Sequence, residues 1–286
     1  MTLRAVFVGG TNGIGYAMAC RIAASSPASS SIIVSGRTKP ANLPHSNMEF
    51  RQLDASSMRG IKKYTDDLKV SGDKLDLLVM SQGIMTMQGR TETPEGIDQK
   101  MSLHFYGKQL LIRELLPVLS DAARVIIVLD GWLGDPSKLI WDDLDLKKNY
   151  SIKKAAEHCI SMNDGMIQYW AKTQPEVPAA AKKHFIHVFP GTVNTNLFKG
   201  IVPSYLQGPV GLLSRMTLTS PETCAERLLD GVEERVKEGT EAGKFWSNID
   251  AKGKSVKNKA IWNEEQIEKV SNHTWKIVDD ALAVKD

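Results

Sequence analysis

The chain reads as an α/β protein with a doubly wound parallel sheet. Three observations predict this: short apolar runs alternate with longer helical stretches, the first run ends in a glycine-rich turn, and no run has the length of a membrane span. Apolar runs at Leu3–Val8, Ser31–Ser35, Met48–Leu53, Leu75–Met80, Arg124–Leu129 and His184–Phe189 carry Val, Ile or Leu at most positions. That is the pattern of strands buried on both faces. Between them, helical periodicity predicts helices over Gly13–Ala24, Ser57–Val70, Pro94–Leu119 and Ile152–Lys172. Strand and helix in this rhythm give right-handed crossovers and a ligand crevice at the C-terminal ends of the strands.

The last third has a different texture. Ser220-Pro221-Glu222 is a helix start, with Ser as the cap and Pro in the first turn. Ala225, Leu228, Leu229, Val232 and Val236 then give Glu222–Glu238 a helical period. Lys244–Trp246 reads as a last strand and Trp262–Ala283 as a charged, Trp-bearing helix. The expected organisation over residues 1–286 is a single domain. Residues 2–200 form its nucleotide-binding core, and residues 201–286 form a helical C-terminal appendage on the substrate side.

Composition narrows the function classes. The 286 residues include 36 Lys plus Arg against 33 Asp plus Glu, a net charge of +3. A balance this even gives no reason to expect nucleic acid as a partner. Cys20, Cys159 and Cys224 are odd in number and widely spaced, so they make neither a disulfide framework nor a metal-ligand pattern. The short run at Leu3–Val8 meets Gly9-Gly10 at once, unlike a secretory signal. The expectation is a cytoplasmic protein that binds a small molecule, with no metal, no nucleic acid and no membrane partner.

Gly9-Gly10-Thr11-Asn12-Gly13-Ile14-Gly15 follows the first strand and opens the first helix. Glycine there permits the tight turn, a close approach of backbone to a pyrophosphate, and close packing of helix on sheet. The helix N-terminus adds free N–H groups and a positive dipole end. Gly9, Thr11, Asn12, Gly13, Ile14 and Gly15 are therefore candidate dinucleotide contacts. The second strand runs into Ser35-Gly36-Arg37-Thr38, with no acidic residue to repel a 2′-phosphate. Arg37 offers a fork of donors suited to one, so NADP(H) is favoured over NAD(H).

The spacing Gly-x-x-x-Gly-x-Gly resembles the short-chain dehydrogenase/reductase family. Leu75 to Met80 with Ser81-Gln82-Gly83-Ile84 resembles the family's fourth strand and the Asn-Asn-Ala-Gly turn after it. Pro190-Gly191-Thr192-Val193-Asn194-Thr195 resembles its Pro-Gly-x-Val-x-Thr segment. Trp141-Asp142-Asp143-Leu144 and Tyr150-Ser151 resemble the longer loop of retinol-dehydrogenase-like members. The resemblance covers about residues 3–195 and implies a Rossmann-type fold. It adds Asp54, at the adenine edge, and Ser81, Gly83, Pro190, Gly191, Val193 and Thr195 as cofactor-binding candidates. It also implies hydride transfer between a nicotinamide and a carbonyl or alcohol of an apolar small molecule. A homo-oligomer built on Pro94–Leu119 and Ile152–Lys172 is compatible with it. Met85, Met87 and Met101 show no catalytic spacing and are candidate lining of an apolar pocket.

The family's catalytic pattern is altered. Its tyrosine serves as general acid, brought toward operating pH by an adjacent lysine. A serine polarises the carbonyl and an asparagine holds a water relay. This sequence has His104 at the asparagine position and Asp130 at the serine position. Tyr150 and Lys154 satisfy Tyr-x-x-x-Lys literally, and residues four apart share a helix face. Two other alignments place His158 and Met162, or Ala156 and Ile160, at those positions instead, six to eight residues on, which is about 9–12 Å along a helix. Tyr150, Lys154, Asp130 and His158 are the catalytic candidates, with His104 a further acid–base group. A non-redox acid–base step, such as a cyclisation or isomerisation, and a non-catalytic cofactor-sensing role both remain open.

Overall fold

The structure, a computed structural model, describes residues 2–195 and 218–284. Its strands are β1 (Arg4–Val8), β2 (Ser31–Gly36), β3 (Met48–Gln52), β4 (Leu75–Met80), β5 (Leu119–Val128), β6 (His184–Val188) and β7 (Trp246–Ile249). All pair in parallel in the order β3-β2-β1-β4-β5-β6-β7. The order reverses between β1 and β4, so the loops leaving those two strands diverge and open a crevice at their C-terminal ends. The helices are α1 (Gly13–Ser25), α2 (Met58–Lys69), α3 (residues 99–115), α4 (Ile152–Lys172), α5 (Pro221–Ala242) and α6 (Glu264–Ala283).

Each sheet face is sealed by its own helices. Residues of α1 and α5 pack with Ala5, Phe7, Val79 and Ile126 on one face. Residues of α2, α3, α4 and α6 pack with Val6, Val8, Leu78 and Ile127 on the other. Alternate residues of one strand thus feed two apolar layers, which is why these strands are apolar almost throughout.

Several boundaries move for identifiable reasons. The third helix begins at Gln99 rather than Pro94, because Gly96 takes φ +79° in a turn and the carboxylate of Asp98 accepts the N–H groups of Lys100 and Met101 as the cap. Its second turn, Ser102–Tyr106, is π-helical, and Pro117 follows its end. The fifth strand starts at Leu119, where a helical ending was expected, and bends at Ala122 (φ 55°). The last strand is Trp246–Ile249 rather than Lys244–Trp246, since Gly243 caps α5 in the left-handed region and Lys244 N–H bonds back to Gly239. The last helix starts at Glu264 instead of Trp262, because Asn263 and Gln266 form a reciprocal capping box.

The C-terminal part is joined to the core through buried polar contacts as well as through β7. Asp164 of α4 is enclosed, and its Oδ1 accepts His187 Nδ1–H and Asn248 Nδ2–H, both at 2.6 Å. Lys259 pairs with Asp164 Oδ2 and donates to the carbonyl of Gly134 at 2.9 Å. Asn248 also donates to the carbonyl of Gly131 at 3.0 Å. One carboxylate thereby ties α4, β6, β7 and the loop after β5. Removing the cation of a buried pair leaves an uncompensated charge. Lys259→Met should therefore cost on the order of 3–5 kcal/mol of folding stability, read as a lower urea midpoint, with Lys259→Arg recovering part of it.

Candidate active site

A cleft of about 380 Å³ lies at the switch point between β1 and β4. Its floor is the turn after β1. Asn12, in extended backbone, caps α1 and accepts the N–H of Gly13 at 2.7 Å. The next two donors, Ile14 and Gly15 N–H, precede Tyr16, whose N–H bonds the Asn12 carbonyl, and open from the first turn. Gly15 is required by close approach: a Cβ there would overlap Ser81 Oγ. Gly13 is required by conformation, with φ +57°. Both features fit an anion seated against α1, and they match the glycine spacing of a dinucleotide cradle.

The cleft gathers Gly9, Thr11, Asn12, Gly13, Ile14, Gly15, Arg37, Asp54, Ser81, Gly83 and Thr195 of the expected cofactor contacts. At one end, Arg37 is exposed, and its guanidinium makes no ion pair among the described residues. Asp54 lies beside it, but its Oδ1 accepts both the N–H and the hydroxyl of Ser56. The cap of α2 is Ser57, helped by buried Glu95, which accepts the N–H groups of Met58 and Arg59. Asp54 is thus free of the helix-cap role and committed to a local turn.

The other end is walled by Ser81, Gln82, Gly83, Leu103, Val128 and Thr195. Pro190, Gly191 and Val193 are not part of its lining. They follow β6 and shape the approach to Thr195, with Val193 bridged to Thr219 and the Pro190 carbonyl against Cys224. Gln82, Gln99, Leu103 and Val128 are lining residues that motif reading passed over. Gln82 had a visible signal, since it sits inside the very turn the motif identifies. Met101 is enclosed in the core, while Met85 and Met87 are exposed, so the three methionines do not form one pocket wall.

The expected acid pair is not assembled. Tyr150 and its neighbour Ser151 precede α4, with Ser151 the N-cap, so the face-sharing argument for Tyr150 and Lys154 does not apply. The Lys154 ammonium pairs with Glu157 at 3.0 Å. The cation over the Tyr150 ring is Lys100, 5.5 Å from its centroid. Burial and then the Asp98 carboxylate push the Tyr150 phenol up to about 12, opposite to what a general acid near neutrality needs.

His158 is enclosed and both ring nitrogens are used. Nε2 accepts the Ile140 N–H at 3.0 Å, so Nδ1 carries the proton and donates to the Leu144 carbonyl at 3.1 Å. Burial pushes its pKa down, which keeps the ring neutral. In His104, Nε2 accepts the Ile84 N–H at 3.0 Å, and burial followed by the charges of Lys108 and Lys100 pushes the ring down to about 3. Ala156, Ile160 and Met162, the other helix positions the alignments offered, carry no titratable group. Asp130 stands two residues beyond Val128 of the cleft wall. Its Oδ1 accepts the N–H groups of Trp132 and Leu133, and its Oδ2 has no hydrogen bond among the described residues.

Behind the site, the π-turn of α3 is held by a chain of amides. Trp170 Nε1 donates to Gln109, Gln109 Nε2 donates to Asn163, and Asn163 Nδ2 donates to the carbonyl of His104, each at 2.9 Å. Asn163 also reaches the Cys159 carbonyl at 2.8 Å. Thr91 N–H donates to Asp98 at the cap of this helix, and the buried Lys108 lies within it.

A short chain dehydrogenase family model matches residues 4–129, the stretch that holds the glycine turn, β4 and β5. An oxidoreductase of Emericella nidulans is 34% identical over 213 residues, covering 71% of this chain and 62% of that protein. The chain belongs to the short-chain dehydrogenase/reductase family. The polyprenol dehydrogenase of Homo sapiens is 27% identical over 213 residues, covering 69% of this chain and 62% of that protein. The chain spans about six tenths of the length of the curated relatives it matches. Among solved structures, an NADPH-bound carbonyl reductase from chicken fatty liver superposes with a TM-score of 0.60 at 15% identity, covering 90% of this chain and 99% of that one. A Burkholderia cenocepacia short chain dehydrogenase in complex with NADP gives 0.56 at 15% identity, covering 88% and 97%. The family binds a nicotinamide dinucleotide. Among the described residues, no helix is long and apolar enough to cross a membrane, and no group of acidic, His or Cys side chains has the arrangement of a metal site.

The cradle makes a sharp prediction. A side chain at Gly13 would be strained at φ +57° and would press on Thr195, whose Cγ2 lies 3.1 Å from a Cβ built there. Gly13→Val should abolish NADPH binding in a fluorescence titration while the far-UV circular dichroism spectrum stays that of the parent. Undiminished binding would remove the anion site from α1.

Proposed function

We propose that the protein is an NADP(H)-preferring oxidoreductase acting on a carbonyl or alcohol of an apolar small molecule. The observation that carries the cofactor choice is Arg37: it lies at the end of β2 in the cleft, exposed and without an ion pair among the described residues, where an acidic residue would favour NAD(H). A guanidinium there pairs with a 2′-phosphate through charge-assisted hydrogen bonds. The relatives' description as oxidoreductases, and the NADP or NADPH bound to two structural neighbours, support the same reading. A bound nicotinamide supplies or accepts the hydride. The chain's own groups seat the phosphates on α1, orient the two nucleosides at the two ends of the cleft and handle the proton.

For the proton, Asp130 is the group we assign. It keeps one carboxylate oxygen outside its turn bonds, and a carboxylate accepts a proton from an alcohol, which suits the oxidising direction. A second reading is favoured by one specific observation. No position that the alignments offer on α4 holds a side chain free to exchange a proton, so a protein that binds the dinucleotide without turning it over also fits.

Two measurements separate these. Losing one charge-assisted contact is worth about 1.5–3 kcal/mol, so Arg37→Ala should reduce the preference for NADPH over NADH by roughly tenfold to a hundredfold in titration. Equal affinity of the parent protein for both would overturn the NADP(H) assignment. A panel of apolar ketones and alcohols should show turnover that Asp130→Asn lowers by about 10²–10⁴-fold and Tyr150→Phe leaves nearly unchanged. Binding without turnover across the panel would select the sensing role.

A further inference from the structure

Lys108 is a cation where the fold has no structural use for a charge. It lies on α3 among Phe105, Tyr106, Leu110 and Leu111, with no exposed surface. Buried ammonium groups are normally paired with a carboxylate. Lys108 has none among the described residues. Its Nζ donates instead to two carbonyls, Met80 at 2.9 Å and Gln82 at 3.1 Å. These flank Ser81 in the turn that walls the cleft at the end opposite Arg37. The side-chain amide of Gln82 is also buried, and neither of its polar atoms has a partner among the described residues. A buried cation and an unpartnered buried amide therefore adjoin one short turn of the cleft wall.

We propose that Lys108 sets the redox-state preference of the cleft: a positive charge buried behind the Ser81–Gly83 turn disfavours the cationic oxidised nicotinamide and favours the neutral reduced ring. The inference rests on the dinucleotide reading above. Low polarity around Lys108 lets its charge act over the thickness of the turn with little screening. The adenosine, the phosphates and Arg37 are common to both redox states, so only a group near the nicotinamide end can discriminate between them. The other titratable groups around it are His104 and Lys100 on its own helix, Asp98 at the cap of that helix, and Cys159 on α4. His104 is held neutral by burial and the two lysines. Burial also raises the Cys159 thiol, keeping it uncharged near neutrality. Burial pushes Lys108 itself down to about 7, so its charge changes within the physiological range.

The test is the ratio of dissociation constants, NADP⁺ over NADPH, by calorimetry on the full chain. In the parent protein the ratio should fall roughly three- to tenfold from pH 6 to pH 8, as Lys108 loses its proton. Titration of the 2′-phosphate affects both ligands alike and cancels. Lys108→Met should give a low ratio with no pH dependence. Lys108→Arg, which cannot deprotonate, should hold the high ratio across the range. If Lys108→Met does not fold, the parent's pH profile and the arginine variant still decide. A ratio independent of pH in the parent and unchanged in the arginine variant overturns the proposal. Failure of both cofactors to bind the parent would overturn the dinucleotide reading, and this inference with it.

Discussion

The close contact between the start of α1 and the turn after β4 governs the rest of this molecule. Gly15 touches Ser81 across the switch point with no room for a side chain. The parallel pairing of β1 with β4 brings the two turns together, and Ser81 N–H bonding to the Val8 carbonyl at 2.8 Å fixes their separation. If that distance grew, α1 would lift from the sheet and its N-terminal donors would no longer point into the cleft. The apolar layers on both faces serve this geometry, because they bury both faces of the paired β1 and β4.

The catalytic region follows a different logic. Polar side chains are plentiful around α3 and α4, yet most are spent on one another. His158 and His104 each have a ring nitrogen bonded to a backbone N–H, and Lys154 is paired with Glu157. His158, with both nitrogens engaged and no exposed surface, is a packing element with a polar edge. The sheet and its helices thus keep the family's fold among the described residues, while these histidine side chains are turned inward to packing.

Much of the fold was legible because it is written in local pattern. The strands at Ser31, Met48, Leu75 and His184 and the helix at Ile152 announce themselves through apolar runs and periodicity. The glycine turn announces the cleft through conformations that other residues avoid. What could not be read is set by contacts distant in sequence. The π-turn at Ser102–Tyr106 depends on Asn163, about sixty residues away, reaching a carbonyl. The roles of Asp164 and Lys259 depend on strands and loops that meet only in three dimensions. Tyr150 was misleading for the opposite reason: its spacing to Lys154 is right, but the helix begins at Ile152, two residues beyond it, so that spacing has no helical meaning.

The amide chain from Trp170 through Gln109 and Asn163 to the His104 carbonyl has a consequence for traffic in protons. Every link is a hydrogen bond from a group that does not ionise near neutral pH, and every donor points the same way. Such a chain transmits orientation but conducts no protons; it is an insulator laid along the seam between two helices. A proton that accompanies chemistry in the cleft therefore does not travel along this seam.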